Sequence, residues 1–259
     1  MYTYKVGDAP KRNIMATTDN WFETWFDTNY YHELYQHRDE EEARVFIATM
    51  VMYLELRAGE RVLDLACGKG RHSRELQKHG LEVVGIDLSK NSIEEAKIYE
   101  SEEMVFDIHD MRKSLTKYGK FDAIFNIFTS FGYFNSREED VKSLKNVSKA
   151  LLAGGQFVQD YINAEAVMAN LPEEGEKDTG ELSFHWKKYL DNGYIVKDIE
   201  VIENGEKKKF QERVKVYSID ELKAIHEEAG LKVVAEFGAY ELDPYEASSS
   251  PRIILVSEK

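Results

Sequence analysis

Residues 62–73 read VLDLACGKGRHS, and no other stretch restricts the fold of this chain as strongly. The near-continuous apolar run Val62–Ala66 has the character of a strand buried on both faces, as in a parallel sheet. Gly68 and Gly70 follow as a turn, and a helical pattern then runs to about His79, where Gly80 stops it. A strand, a glycine turn and a helix in this order bring backbone close to a ligand at the carboxyl edge of a sheet. Asp64 sits inside the feeding strand. A carboxylate beside a bound pyrophosphate costs repulsion, so this turn is poorly suited to holding phosphates.

The alternation continues along the chain. Apolar runs at Val83–Ile86, Met104–Phe106, Ala123–Phe128 and Gln156–Tyr161 read as strands. Between them, Ser89 can cap a helix carrying Ile93 and Ala96, and a second helix runs from about Glu138 to Leu152. Before the first strand, Ala43, Phe46, Ile47, Met50, Val51 and Leu54 recur at helical spacing. Such alternation with short connections predicts a parallel sheet covered by helices on both faces. Lys232–Phe237 and Arg252–Ser257 are the final strands, and the short segment between them shows no helical pattern, so they should pair antiparallel.

Two segments depart from this rhythm. Trp21, Phe22, Trp25, Phe26, Tyr30, Tyr31, Leu34 and Tyr35 suggest aromatic helices or turns that either pack or touch a ligand. Residues 163–181 are acidic and read as a loop, whereas Leu182–Tyr217 reads as a three-stranded meander turning at Asn192-Gly193 and Asn204-Gly205. Leu182, Phe184 and Trp186 alternate with polar residues, so one face of the meander must cover something. The expected organisation is an aromatic arm over residues 1–40 that caps the site, a ligand-binding domain over 41–162 and 218–259, and an inserted antiparallel β lid over 163–217. The same apolar face would alternatively serve a dimer.

Composition narrows the function classes. The 259 residues carry a net charge of -14, which disfavours nucleic acid, since lysine and arginine supply most of that affinity. No apolar run approaches the ~20 residues of a membrane helix, and MYTYKVGDAPKRN lacks the apolar core of a secretory signal. The single cysteine, Cys67, forms no internal disulfide and fits a reducing cytoplasm. No Cys/His cluster has metal-site spacing.

The ligand of the glycine turn follows by comparison. The dinucleotide fingerprint needs a third glycine where Ser73 stands, and the phosphate-loop pattern is absent. S-adenosylmethionine (SAM) has no phosphate; it carries an ammonium, a carboxylate, a sulfonium, a ribose and an adenine. Asp87, which ends the second strand in VVGIDLS, is placed to accept both ribose hydroxyls. It would do the same for NAD, so Asp64 and Ser73 discriminate.

With these residues the chain resembles the class I SAM-dependent methyltransferases. The motifs are Val62–Gly70, Asp87, Asp110-Met111-Arg112, the run FDAIFN at 121–126 and LLAGGQF at 151–157, in the family's order. The resemblance covers residues 40–160 and 211–259. It implies a Rossmann-like α/β fold with a seven-stranded, mostly parallel sheet of order 3-2-1-4-5-7-6 whose last strand is antiparallel. It also implies a cofactor site. Asp64, Ala66, Cys67, Gly68 and Gly70 would lie at the methionine end, and Asp87 with Leu88 and Ser89 at the ribose and adenine. Asp110, Met111 and Arg112 would hold the adenine, and Asn126, Phe128 and Thr129 would face the methyl group. Arg38 would either clamp the SAM carboxylate or form a surface ion pair with Glu41 or Glu42.

The acceptor is less legible. The turn after strand four reads NIFTSF and lacks the prolines of amino-methylating nucleic-acid enzymes, so a small molecule with an oxygen or nitrogen nucleophile is expected. A general base is needed only for an acceptor protonated at neutral pH, and His109, Tyr133, His185 and Tyr31 are candidates by position. Tyr31, Phe131, Tyr133, Phe184 and Trp186 are candidate substrate contacts. The terminal GAYELDPYEASSSPRIILVSEK resembles a tail of a bacterial subgroup that would bring Tyr245 and Arg252 over the pocket; alternatively Arg252 pairs with an acidic neighbour. Monomer and homodimer are both compatible with the sequence. A non-catalytic SAM-binding regulator and a nucleotide-dependent oxidoreductase are the rival readings.

Overall fold

The structure is a computed structural model, and it describes residues 20–35 and 40–259. Arg38 and most of the expected N-terminal arm lie outside the described residues.

The main sheet has seven strands in the order β10-β11-β5-β4-β1-β2-β3. They are β1 (Arg61–Leu65), β2 (Glu82–Asp87), β3 (Met104–Ile108), β4 (Phe121–Asn126), β5 (Leu151–Ile162), β10 (Lys232–Phe237) and β11 (Arg252–Glu258). β1 lies between β4 and β2, parallel to both, with Val62 opposite Ala123 on one side and Val83 on the other. β11 runs antiparallel to β5 and to β10, as the short final connection requires.

Strand periodicity sends alternate residues to two separate cores. Leu63, Leu65, Ile124 and Phe157 face the helices α6 (Arg137–Ala150) and α8 (Ile219–Glu228) through Leu144, Val147, Leu222 and Ile225. Val62, Ala123, Phe125 and Val158 face α3 (Glu40–Tyr53), α4 (Arg71–Lys78) and α5 (Lys90–Ala96) through Phe46, Met50, Leu76 and Ile93. Serine hydroxyls begin three of these helices. Ser89 accepts from Ser92 N and Ser136 from Glu139 N, while Ser218 forms a reciprocal capping box with Glu221.

A second, antiparallel sheet has the order β6-β7-β8-β9, comprising β6 (Glu173–Asp178), β7 (Leu182–Asp191), β8 (Tyr194–Glu203) and β9 (Glu206–Lys215). The meander therefore has a fourth strand inside the segment expected to be a loop, and the short helix α7 (Ala164–Met168) precedes it. β6 reads EEGEKD and carries no apolar alternation. It is held as an edge strand by ion pairs Glu173–Lys188 and Glu174–Lys187, with Gly175 flat against Trp186. A Cβ at Gly175 would lie 2.4 Å from that indole.

One boundary also differs from expectation. The helix expected to reach Leu152 ends at Ala150, and LLAGG forms the start of β5. A register shift between Phe121↔Leu151 and Ala123↔Gln156 absorbs the glycines. At Gly155 a Cβ would meet three carbonyl oxygens at 3.1 Å, a tight approach that glycine relieves.

The short helices α1 (Trp21–Trp25) and α2 (Asn29–Leu34) lie between the two sheets. Trp21, Phe22, Trp25 and Leu34 pack with Leu182, Phe184, Ile199 and Val201 of the second sheet in a third apolar cluster. Among the described residues, no helix is long and apolar enough to cross a membrane.

Candidate active site

The carboxyl ends of β1, β2 and β4 open into a cavity of about 490 Å³. Its floor is the glycine turn. Ala66 follows β1 at φ 64°, Gly68 stands at 54° and Gly70 at 76°. Cys67 N donates to Ile86 O at 2.9 Å and Gly70 N to Cys67 O at 3.0 Å, which closes the turn against β2. Gly70 is required by packing, since a Cβ there would lie 2.7 Å from the Phe106 ring. At Gly68 a Cβ would meet nothing within 4 Å. Gly68 lines the cavity, so a side chain there would occupy ligand space.

Asp87 joins the two loops that flank this floor. Its Oδ2 accepts from Gly68 N at 2.8 Å and its Oδ1 from Ser89 N at 2.8 Å. Burial raises the Asp87 carboxyl above its ordinary value despite these bonds. Each oxygen keeps acceptor capacity, and the residue lines the cavity. Leu88, Met111 and Asp110 line the neighbouring wall. Arg112 Nε and Nη2 grip the Asp110 carboxylate at 2.8–3.0 Å, and Arg112 N donates to the same group at 2.8 Å. Although burial pushes it up, these contacts hold the Asp110 carboxyl below the usual range.

The roof is aromatic. Phe22, Phe26, Tyr31 and Tyr35 from α1, α2 and their connections line the cavity together with Phe128, Tyr133 and Phe134. Phe26 packs on Tyr31 and Tyr133 with ring centroids 4.8 and 5.4 Å apart. Tyr35 is fastened from behind: its hydroxyl donates to Glu212 Oε2 at 2.8 Å and accepts from Lys197 Nζ at 2.9 Å. Trp25 Nε1 donates to the other Glu212 oxygen at 2.7 Å. Burial, then Glu212, raises the Tyr35 phenol well above its ordinary value, and burial does the same for Tyr133.

Of the expected cofactor contacts, Ala66, Cys67, Gly68, Asp87, Leu88, Ser89, Asp110, Met111 and Phe128 line the cavity. Gly70, Arg112 and Thr129 stand just outside the lining and shape it. Asp64 is directed away, 1% exposed, with its Oδ2 accepting from Ser73 Oγ at 2.6 Å. Asn126 is buried beneath the turn, where its Nδ2 donates to Leu65 O at 2.9 Å while Oδ1 has no protein partner.

The expected acceptor side is revised more. Phe184 is fully buried and, like Trp186, does not line the cavity. Their sheet packs on the outside of α1 and α2; those helices, part of the aromatic arm expected to cap the site, line the roof, and residues 163–217, expected as a lid, do not line the cavity. Phe131 belongs to the core against Tyr161 and Tyr217. Tyr245 packs against that same core. Arg252 is paired with Asp160 at 2.7 Å beneath the β4 loop, as its alternative reading had it. His185 is half exposed on the outer sheet, 3.7 Å from Glu176. Tyr31, Tyr133 and His109 do line the cavity.

Sequence reasoning left out His32 and read His72 as a helix residue packing beside the site; both line the cavity. Burial keeps both neutral: His72 is lowered to about 3, and His32, with help from Lys69, to about 4. Its place three residues before Tyr35, at helical spacing, was the available signal for His32. Nothing local could show that Tyr35 is held by Glu212, 177 residues away.

The site therefore offers a glycine cradle with open space above it, a carboxylate placed for a diol, and an apolar wall of Leu88 and Met111. This donor set fits SAM. A methyltransferase-domain family model matches residues 56–230. YqeM of Bacillus subtilis (strain 168), whose name describes it as a methyltransferase, is 31% identical over 132 residues, which span 50% of this chain and 53% of that protein. The match thus reaches about half the length of that relative. An S-adenosylmethionine-dependent methyltransferase from Clostridium acetobutylicum ATCC 824 superposes with a TM-score of 0.74 at 21% identity, covering 88% of this chain and 96% of its own. A SAM-bound amino pentose methyltransferase from Micromonospora echinaspora gives 0.66 at 16% identity, covering 90% and 98%. At these identities the structural likeness shows the fold.

Fold and site together define a Rossmann-like methyltransferase domain with a cavity whose donor set fits SAM. The chain belongs to the methyltransferase-domain family.

Proposed function

We propose that the protein transfers a methyl group from SAM to an oxygen or nitrogen nucleophile of a small molecule by in-line displacement. The observation that carries this reading is the division of one cavity into a glycine and carboxylate floor and an aromatic roof. When bound, SAM supplies a methyl group on a sulfonium that is already a good leaving group.

The residues of the chain would divide the remaining work. Asp87 would accept the ribose hydroxyls, and backbone at Ala66, Cys67 and Gly68 would approach the methionine end. Leu88 and Met111 would flank the adenine. Asp110, whose oxygens are gripped by Arg112, would meet the exocyclic amine with the acceptor capacity that remains. The roof would exclude water and hold the acceptor in line, an alignment worth ~7–11 kcal/mol in favourable cases. Tyr133 donates its hydroxyl proton to Thr129 O, and its raised pKa keeps it a phenol at neutral pH. Burial and Lys117 lower the pKa of His109, which leaves it neutral and able to accept a proton from an acceptor that needs to lose one.

A small acceptor is favoured over nucleic acid by the -14 net charge and by the roofed cavity. The single buried cysteine fits work in the cytoplasm. A metabolite screen with mass spectrometry for a gain of one methyl group tests the proposal. Binding of SAM without turnover of any acceptor would favour a SAM-binding regulator; tight NAD binding with no SAM binding would reject the reading.

A further inference from the structure

The loop after β4 is strained where it meets the cavity. Phe128 has φ 62° and Thr129 φ 50°, two consecutive non-glycine residues in the left-handed region. A bulky aromatic residue at positive φ is an outlier that persists only when its surroundings over-determine it. The same loop supplies Ile127, Phe128, Ser130, Tyr133 and Phe134 to the cavity wall.

One residue near the end of β5, Asp160, accepts four hydrogen bonds, two of them from the backbone of this loop. Asp160 is 0% exposed. Its Oδ2 accepts from Phe128 N at 2.8 Å and from Tyr240 Oη at 2.8 Å, and its Oδ1 accepts from Arg252 Nε at 2.7 Å. Its backbone carbonyl accepts from Thr129 N at 3.2 Å. Arg252 completes the arrangement from β11 by donating Nη2 to Thr129 Oγ1 at 2.6 Å. A buried ion pair is weak evidence for stability, because an apolar pair of equal volume often serves as well. An apolar pair between β5 and β11 could not, however, hydrogen-bond Phe128 N and Thr129 Oγ1.

We propose that Asp160 and Arg252 are positioning residues that hold Phe128 and Thr129 in the left-handed conformation that shapes this wall of the cavity. The strain is thereby carried by two core strands, β5 and β11, and the aromatic ring of Phe128 is presented to the ligand space.

The test uses the full chain and calorimetric affinity for S-adenosylhomocysteine, measured below the melting temperature of each variant. This arm rests on the SAM reading of the cavity. Arg252→Met is expected to weaken binding at least tenfold. Thr129→Gly makes positive φ strain-free without help, so the double variant R252M/T129G is expected to bind at least threefold more tightly than R252M. A purely structural ion pair would show no such rescue. A loss smaller than tenfold, or no rescue by that margin, overturns the proposal. If R252M does not fold, Arg252→Lys, which keeps the cation but cannot serve Asp160 and Thr129 together, is read by the same criteria. If the wild-type chain fails to bind, the cofactor reading falls. The proposal is then decided by crystal structures of R252M or R252K, in which unchanged positive φ at both residues overturns it and relaxation of either residue supports it.

Discussion

Ser73 Oγ lies 2.6 Å from Asp64 Oδ2, a buried hydrogen bond that fastens the first turn of α4 to β1. Ser73 occupies the position where a dinucleotide-binding turn carries its third glycine, and Asp64 is the carboxylate that argued against phosphate. The two departures from that fingerprint are therefore one interaction. It lies behind the glycine turn, so Asp64 supports the floor of the site without facing the ligand.

This pair makes a pH prediction. Burial raises the Asp64 carboxyl to about 6, above its ordinary value near 4. The folded state then holds a proton that the unfolded chain releases, so this group's contribution falls as pH rises from about 4 to 6 and stays low above that. A shift of this size corresponds to ~3 kcal/mol. Asp64→Asn removes the titration while keeping an acceptor for Ser73. The melting temperature of D64N relative to wild type should therefore rise between pH 4 and pH 7; a difference that is flat or falling with pH would contradict the assignment.

Asp87 should respond in binding. Its carboxylate holds Gly68 N and Ser89 N and is placed to accept from the ribose. Asp87→Ala is expected to weaken binding of SAM by ~1–3 kcal/mol, the usual cost of lost hydrogen bonds to a charged acceptor. Calorimetry checks this, and an unchanged dissociation constant would remove Asp87 from the site.

The parts of this molecule that were legible in the sequence are those encoded locally. Val62–Ser73 specifies strand, turn and helix within twelve residues, and Asp87 ends a strand that pairs in register with β1. The seven-strand order was implied by the family resemblance that the motifs along the chain carry. The aromatic spacing at Trp21–Tyr35 marked helices that could cap the site, but where the second sheet packs was not legible, because it depends on which surface covers which. The apolar face at Phe184 signalled burial, but not that Trp21 and Trp25 would be its partners. Arg252 was likewise noticed, while Asp160, buried in a central strand 92 residues earlier, could be assigned as its partner only through the β5–β11 register. β6 was missed because charge pairing, and not alternation, holds it.

Phe184 separates a lid from a support. It is fully buried among Trp21, Phe22 and Val201, and it does not touch the cavity. Phe184→Ala should cost ~3–5 kcal/mol in denaturant unfolding, as other large-to-small core changes do. At temperatures where the variant is folded, its affinity for S-adenosylhomocysteine should stay within threefold of wild type. Lost affinity with unchanged stability would restore a direct role of the second sheet in binding.

Gly68 and Gly70 stand two residues apart with similar backbone angles, yet their alanine variants should fail differently. At Gly70 the new Cβ would lie 2.7 Å from Phe106, in a core where the ring is also packed near Gly85. The clash adds to the left-handed strain of about 1–2 kcal/mol, so Gly70→Ala should melt lower, with a stability loss above ~2 kcal/mol. At Gly68 the Cβ meets nothing, so Gly68→Ala carries only the backbone strain, and its methyl group enters the space above the turn. Gly68→Ala should therefore keep most of its stability and lose binding of SAM at least tenfold. Paired melting and calorimetry on both variants check this. Equal binding losses at equal stability would mean that the turn acts as one rigid unit, and that Gly68 has no separate role in making room for the ligand.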